Sequence, residues 1–207
     1  MRTQKLVVAM AAMAGASLCA GQSAAAQEAT VTICSESDPH VLMGVQQLAS
    51  KMFASIRVRI DWRERDSCPV GVSAIQVRLT YDPPGIRKSH PLAFAKPDKG
   101  TIVVFPHRVQ DANRNGGPSL MAHVLVHEIT HVLEGISRHS ATGIMKARWD
   151  DNDYFEMSCK PLSFAREDVD LIYAGLKAWQ ARAASATAVV SRAAVATNSN
   201  VWMVEAF

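Results

Sequence analysis

The chain has 207 residues, enough for one domain with a sizeable core. Its 22 basic and 19 acidic residues give a net charge of +3 with histidine neutral. The basic residues are scattered rather than blocked, so neither nucleic acid nor an anionic membrane surface is an expected partner.

Residues 1–26 read as a secretory signal peptide. Arg2 and Lys5 form a positive start, Leu6 to Leu18 is apolar, and Ala24-Ala25-Ala26 offers a small-residue cleavage site before Gln27. The apolar run is shorter than the roughly 20 residues a spanning helix needs. A lipid anchor at Cys19 is the alternative, but Leu18 is bulky where a small residue belongs. The expected location is therefore secreted or periplasmic, with no stable membrane association after the leader is removed. The leader holds two bases and no acid, so the remaining 181 residues carry a net charge of +1. Three cysteines remain, Cys34, Cys68 and Cys159. In an exported chain they can form one disulfide in any of three pairings, leaving one cysteine free or acting as a ligand. No C-x-x-C spacing points to a cysteine metal site, which favours one bridge and a buried thiol.

Thr30 to Cys34 alternates as a short first strand. Asp38-Pro39 then offers a cap and a first helical position. Val41, Leu42, Val45, Leu48, Ala49, Met52 and Phe53 follow at helical spacing. His40, in the first turn, is read as a surface residue. Ile56 to Trp62 alternates strictly, as a half-buried strand with Trp62 on the core face. Ile75, Val77 and Leu79 mark another strand, broken by Tyr81-Asp82-Pro83-Pro84-Gly85. Leu92-Ala93-Phe94-Ala95 and Thr101 to Phe105 are two short strands joined through a turn at Lys96 to Gly100. The second is a continuous apolar run, as a strand buried on both faces would be. After a polar loop at Asn113 to Pro118, a long helix is expected from Ser119 to Glu134. Another starts at Ser163, which can cap it, and carries Val169, Leu171, Ile172, Leu176 and Trp179. From 181 to 207 the chain is Ala-rich and reads as a fraying helix and tail.

Chemistry concentrates on the long helix, at His127-Glu128-Ile129-Thr130-His131. Histidines four apart on a helix share a face and can reach one metal ion. Glu128 can lean over the same ion as a general base. Catalytic zinc usually has three protein ligands, and three residues could supply the third. His123 lies one turn earlier, but three successive turns span about 12 Å, too long for one ion to bridge. Glu134 belongs to the same helix, three residues past His131. His139 lies beyond Gly135, and glycine can end the helix in the left-handed conformation and turn the chain back.

Taken with the helix motif, His139-Ser140-Ala141-Thr142-Gly143-Ile144-Met145 resembles the segment from third ligand to Met-turn in the metzincin zinc peptidases. The likeness is greatest to the matrixin branch and to small secreted bacterial metzincin-like proteins with a longer third-ligand spacing and Arg-Trp after the Met. It runs from about Val31 to Trp179, with its specific part at His127 to Trp149. Seven residues separate His131 from His139 where the usual pattern H-E-x-x-H-x-x-G-x-x-H has five, and Lys146-Ala147-Arg148-Trp149 follows Met145 where a Pro is usual.

The resemblance implies an α+β fold of zincin type over residues 27–180. That fold has a mixed, mainly parallel twisted sheet with an antiparallel edge strand, two long helices packed on it, and a C-terminal helix. It implies Zn2+ held by His127, His131 and His139, with Glu128 as general base and Met145 as an apolar floor. Leu92, Ala93, Phe94 and Ala95 would form the edge strand that pairs with an extended peptide. Trp149 is read as core packing. The expected activity is a zinc endopeptidase acting, as a monomer, on peptide or protein substrates. The alternative is a zinc-binding module that keeps the fold and cleaves nothing.

Overall fold

A computed structural model of the chain describes residues 29–36, 39–68, 74–81, 91–112 and 117–198. The expected leader, 1–26, and residues 199–207 lie outside that set. Five strands form one sheet: β1 (Ala29–Ser35), β2 (Val58–Glu64), β3 (Ala74–Leu79), β4 (Ala93–Lys96) and β5 (Thr101–Val104). Their order is β2-β1-β3-β5-β4. The pairs β1–β2, β1–β3 and β3–β5 are parallel, and β4 runs antiparallel to β5 with Ala93 opposite Val104. The expected architecture is thus present, a mostly parallel sheet with one antiparallel edge strand.

Central position explains the burial of β1, where Val31, Ile33, Cys34 and Ser35 are all covered. Expectation fails at β5. Ile102 and Val104 are buried while Thr101 and Val103 are half-exposed, so the strand alternates although its sequence is continuously apolar. Hydrophobic composition shows what a strand can bury, whereas neighbouring elements decide which face is covered. Trp62 is half-buried at the margin of the core, with Nε1 donating to Ser50 Oγ at 2.8 Å.

Helix α1 (Pro39–Ala54) connects β1 to β2, as a parallel pair requires, and buries Leu42, Val45, Ala49, Met52 and Phe53. Two short helices were not legible in the sequence, α2 (Pro106–Ala112) and α4 (Asp151–Cys159). Both are too short for a clear periodic signal. Helix α4 starts on a reciprocal cap in which Asp150 and Asp153 each accept the other's backbone N–H. Helix α3 (Ser119–Glu134) buries thirteen of its sixteen residues because α1, β4 and α5 all pack against it. Helix α5 (Arg166–Asn198) begins three residues later than Ser163 suggested. Its cap works from inside: the Asp168 carboxylate accepts the Ala165 N–H at 3.0 Å. The helix then continues through the Ala-rich stretch.

Cys34 and Cys68 form a disulfide, with Cα atoms 6.0 Å apart. Among the described residues Cys159 is the free cysteine, and it is exposed, not the buried thiol expected. Among the described residues, no helix is long and apolar enough to cross a membrane.

Candidate metal centre

Helix α3 presents His127 and His131 one turn apart on the same face. It stops at Gly135, which takes φ 70° and donates its N–H to the His131 carbonyl at 3.0 Å. A residue with a Cβ is strained in that left-handed conformation, so the helix end depends on glycine. The chain then folds back and brings His139 to the other two. One nitrogen from each of His127, His131 and His139 lies within 4.8 Å of the others. The ring centroids are 4.8 Å, 5.0 Å and 5.2 Å apart. Of the two residues beyond the usual spacing, one lengthens α3 before Gly135 and the other lies in the return at 136–138.

Hydrogen bonding determines how these rings are protonated. His127 Nδ1 lies 2.9 Å from the Ile144 carbonyl and His131 Nδ1 lies 3.3 Å from the Ile136 carbonyl. A carbonyl only accepts, so each Nδ1 carries the proton and each Nε2 presents a lone pair. The two Nε2 atoms are 3.1 Å apart. With both Nδ1 sites protonated, neither neutral ring has a proton to offer the other. Two facing lone pairs at that distance, with a third imidazole beside them, suit a cation between them. Backbone carbonyls behind ligating histidines are a common way to fix ring orientation. Burial, reinforced by the neighbouring histidines, pushes His127 down to about 4 against the opposing bond to Ile144. Burial also lowers His131. Both rings are therefore held neutral, the form that binds metal.

Neither rival third ligand joins the cluster. His123 is fully buried, with Nδ1 2.8 Å from the Ser119 carbonyl and Nε2 accepting the Leu162 N–H at 3.0 Å. Both nitrogens are used, and the ring bolts α3 to the segment before α5. The Glu134 side chain is fully buried beside Arg138, with Oε2 3.7 Å from Nε. Burial pushes it up to about 7, Arg138 opposes the shift, and Asp168 and Glu167 add to it.

The histidines open into a cleft of about 610 Å³, walled by Leu92 to Ala95 on one side and by Ala147, Arg148, Trp149 and Tyr154 on another. Glu128 lines the same cleft. It is 9% exposed, and burial raises it to about 7 against a hydrogen bond from the Ala95 backbone. Strand β4 forms the edge of the sheet at the cleft. Phe105 donates its N–H to the Leu92 carbonyl at 2.9 Å. Hydrogen-bonded pairs alternate in an antiparallel ladder, so Phe94 and Lys96 turn their backbone groups toward β5. Ala93 and Ala95 turn theirs outward. Met145 is buried, and its carbonyl accepts the Ser140 N–H at 2.8 Å. Trp149 is half-buried against the core, as expected, and also walls the cleft, standing edge-on to His127 at 5.6 Å. Sequence reading passed over Arg138, Ser140 and Asp168, which hold the return loop.

Neither a protein-family profile nor a characterised protein sequence matches the chain. Solved structures do match. The archaemetzincin of Methanopyrus kandleri is 14% identical over 72% of this chain and 96% of its own, with a TM-score of 0.50. A zinc-dependent peptidase from Methanocorpusculum labreanum is 13% identical over 69% of this chain and 99% of its own, at a TM-score of 0.46. The archaemetzincin of Archaeoglobus fulgidus, complexed with malonate, is 16% identical over 69% and 99%, at 0.42. At 14% identity the first likeness speaks for the fold alone. This chain has a metzincin-like fold, and within it a three-histidine cluster able to hold a metal ion.

Proposed function

We propose that the chain is an exported zinc-binding protein in which His127, His131 and His139 hold one Zn2+. The observation that carries this reading is the pair of unprotonated Nε2 atoms 3.1 Å apart, backed by Ile144 and Ile136 carbonyls. Three imidazoles form a zinc donor set that leaves a fourth position open. The longer third-ligand spacing and Arg148-Trp149 after Met145 support kinship with the small secreted bacterial metzincin-like proteins.

A second reading, peptide-bond hydrolysis, is favoured by a separate observation: Glu128 and the open edge of β4 share the cleft with the histidines. Bound zinc would supply Lewis-acid polarisation of a carbonyl and activation of a water. The chain's own residues would do the rest. Ala93, and Ala95 through its carbonyl, pair with an extended peptide across the open edge. Glu128 takes up a proton in the cleft and returns it to the leaving amine. Met145 packs below as an apolar floor.

Metal analysis and cleavage assays separate the two readings. Purified protein should contain one zinc per chain, and His139→Ala should bind zinc measurably more weakly. Equal affinity would sink the three-histidine assignment. If the protein is a peptidase, Glu128→Ala keeps its zinc and loses roughly a hundredfold or more in casein or peptide-library cleavage. Wild-type protein that holds zinc and cleaves no member of a broad library is the non-hydrolytic module.

A further inference from the structure

The third ligand stands on a loop, and the residues on both sides of it are held by one buried carboxylate. Asp168, on the first turn of α5, has no exposed side-chain surface. Its Oδ1 accepts Arg138 Nη2 at 2.6 Å and also the Ser140 hydroxyl, while Oδ2 accepts the Ala165 N–H at 3.0 Å. Arg138 precedes His139 and Ser140 follows it. Arg138 Nη2 also reaches Ser140 Oγ at 3.2 Å, and Nη1 reaches the His139 carbonyl at 3.5 Å. The Ser140 backbone N–H is bound to Met145, so the far side of the loop is fixed as well. The buried Glu134 carboxylate approaches Arg138 from α3. His139 itself is exposed, and its ring meets those of His131 and His127 at centroid distances of 5.0 Å and 5.2 Å.

We propose that Asp168 is the positioning residue for His139: through Arg138 and Ser140 it holds the third imidazole against the other two, so metal affinity is set from the start of α5. Left unbraced, the return from Gly135 to His139 would let the exposed ring sample many positions, and each lowers the fraction of chains ready to bind. A single desolvated carboxylate with three donors removes that freedom. The proposal rests on His139 being a ligand, as proposed above.

The test is zinc affinity by chelator competition on the full chain, read as a double-mutant cycle between Asp168→Asn and His139→Ala. Asp168→Asn keeps the shape of the side chain and removes its charge. It should weaken zinc by about tenfold or more, as loss of groups that orient ligands does. The visible spectrum of the Co2+-loaded protein should change with it. In the His139→Ala background, Asp168→Asn should cost little further affinity. A purely structural role predicts an additive loss in both backgrounds, and that result overturns the proposal, as does wild-type affinity in Asp168→Asn. His139→Ala with wild-type affinity is a different failure, because it removes the ligand assignment itself. If Asp168→Asn does not fold, Ser140→Ala and Arg138→Met each remove one arm, and the same cycle is read with them.

Discussion

At the scale of single residues, His123 and Glu134 are buried polar groups outside the three-histidine cluster. His123 accepts the Leu162 N–H inside the protein. His123→Phe would leave that donor unpaired at a cost of about 1–3 kcal/mol. Urea unfolding should show the loss, with zinc content unchanged; a loss of zinc would mean the ring serves the site. Glu134 is raised from about 4.5 to about 7 by burial. Native protein keeps this proton between those values and unfolded protein does not. Its stabilising effect is therefore complete at low pH and is lost as pH rises through about 7. Glu134→Gln removes this dependence. Its melting temperature relative to wild type should rise by a few degrees between pH 5 and pH 8, on the order of 1 kcal/mol. A flat difference would show that Glu134 ionises normally. Of these residues, His127 and His131 were legible because a helical period fixes their geometry. Asp168 was not, because its partners, Arg138 and Ser140, lie about thirty positions away and only tertiary packing brings them together.

At the scale of elements, long periodic helices were readable and short ones were not. Helix α3 announced both its span and its end, since Gly135 is the residue the left-handed turn demands. The alternating exposure of β5 and the helices α2 and α4 depend on what packs beside them, which local pattern does not encode. The contact of α3 with α5 has a similar hidden requirement. A Cβ at Gly175 would land on the Leu133 carbonyl oxygen, so the two helices approach backbone to side-chain-free backbone. Gly175→Ala must push α5 away from α3 and should cost about 3 kcal/mol in urea unfolding. Gly175 is also one turn before Trp179, whose ring meets Gly100 at the turn between β4 and β5. A shift of α5 therefore reaches the base of the cleft strand, and a variant as stable as wild type would contradict this packing.

At the scale of the whole molecule, the resemblance carried the mostly parallel sheet, its antiparallel edge strand and the helix layers, while the strand order and the cysteine pairing had to wait for the structure. The Cys34–Cys68 bridge closes 34 residues, from β1 through α1 and β2. Chain-entropy arguments put its removal at about 4 kcal/mol. Reduction should lower the melting temperature while leaving zinc in place, because β3 and β5 stand between β1 and the cleft strand. Release of zinc on reduction alone would tie the bridge to the site. The edge strand has one more consequence, for the behaviour of concentrated protein. An open sheet edge is a rung on which a second copy can lay its own strand and begin a fibre. Here that rung is four residues long and ends in Lys96. Of its two outward-facing residues, Ala95 already gives its N–H to Glu128. What remains on this edge is too little backbone to template an unending stack, so β4 stays open to solvent without itself seeding a fibril.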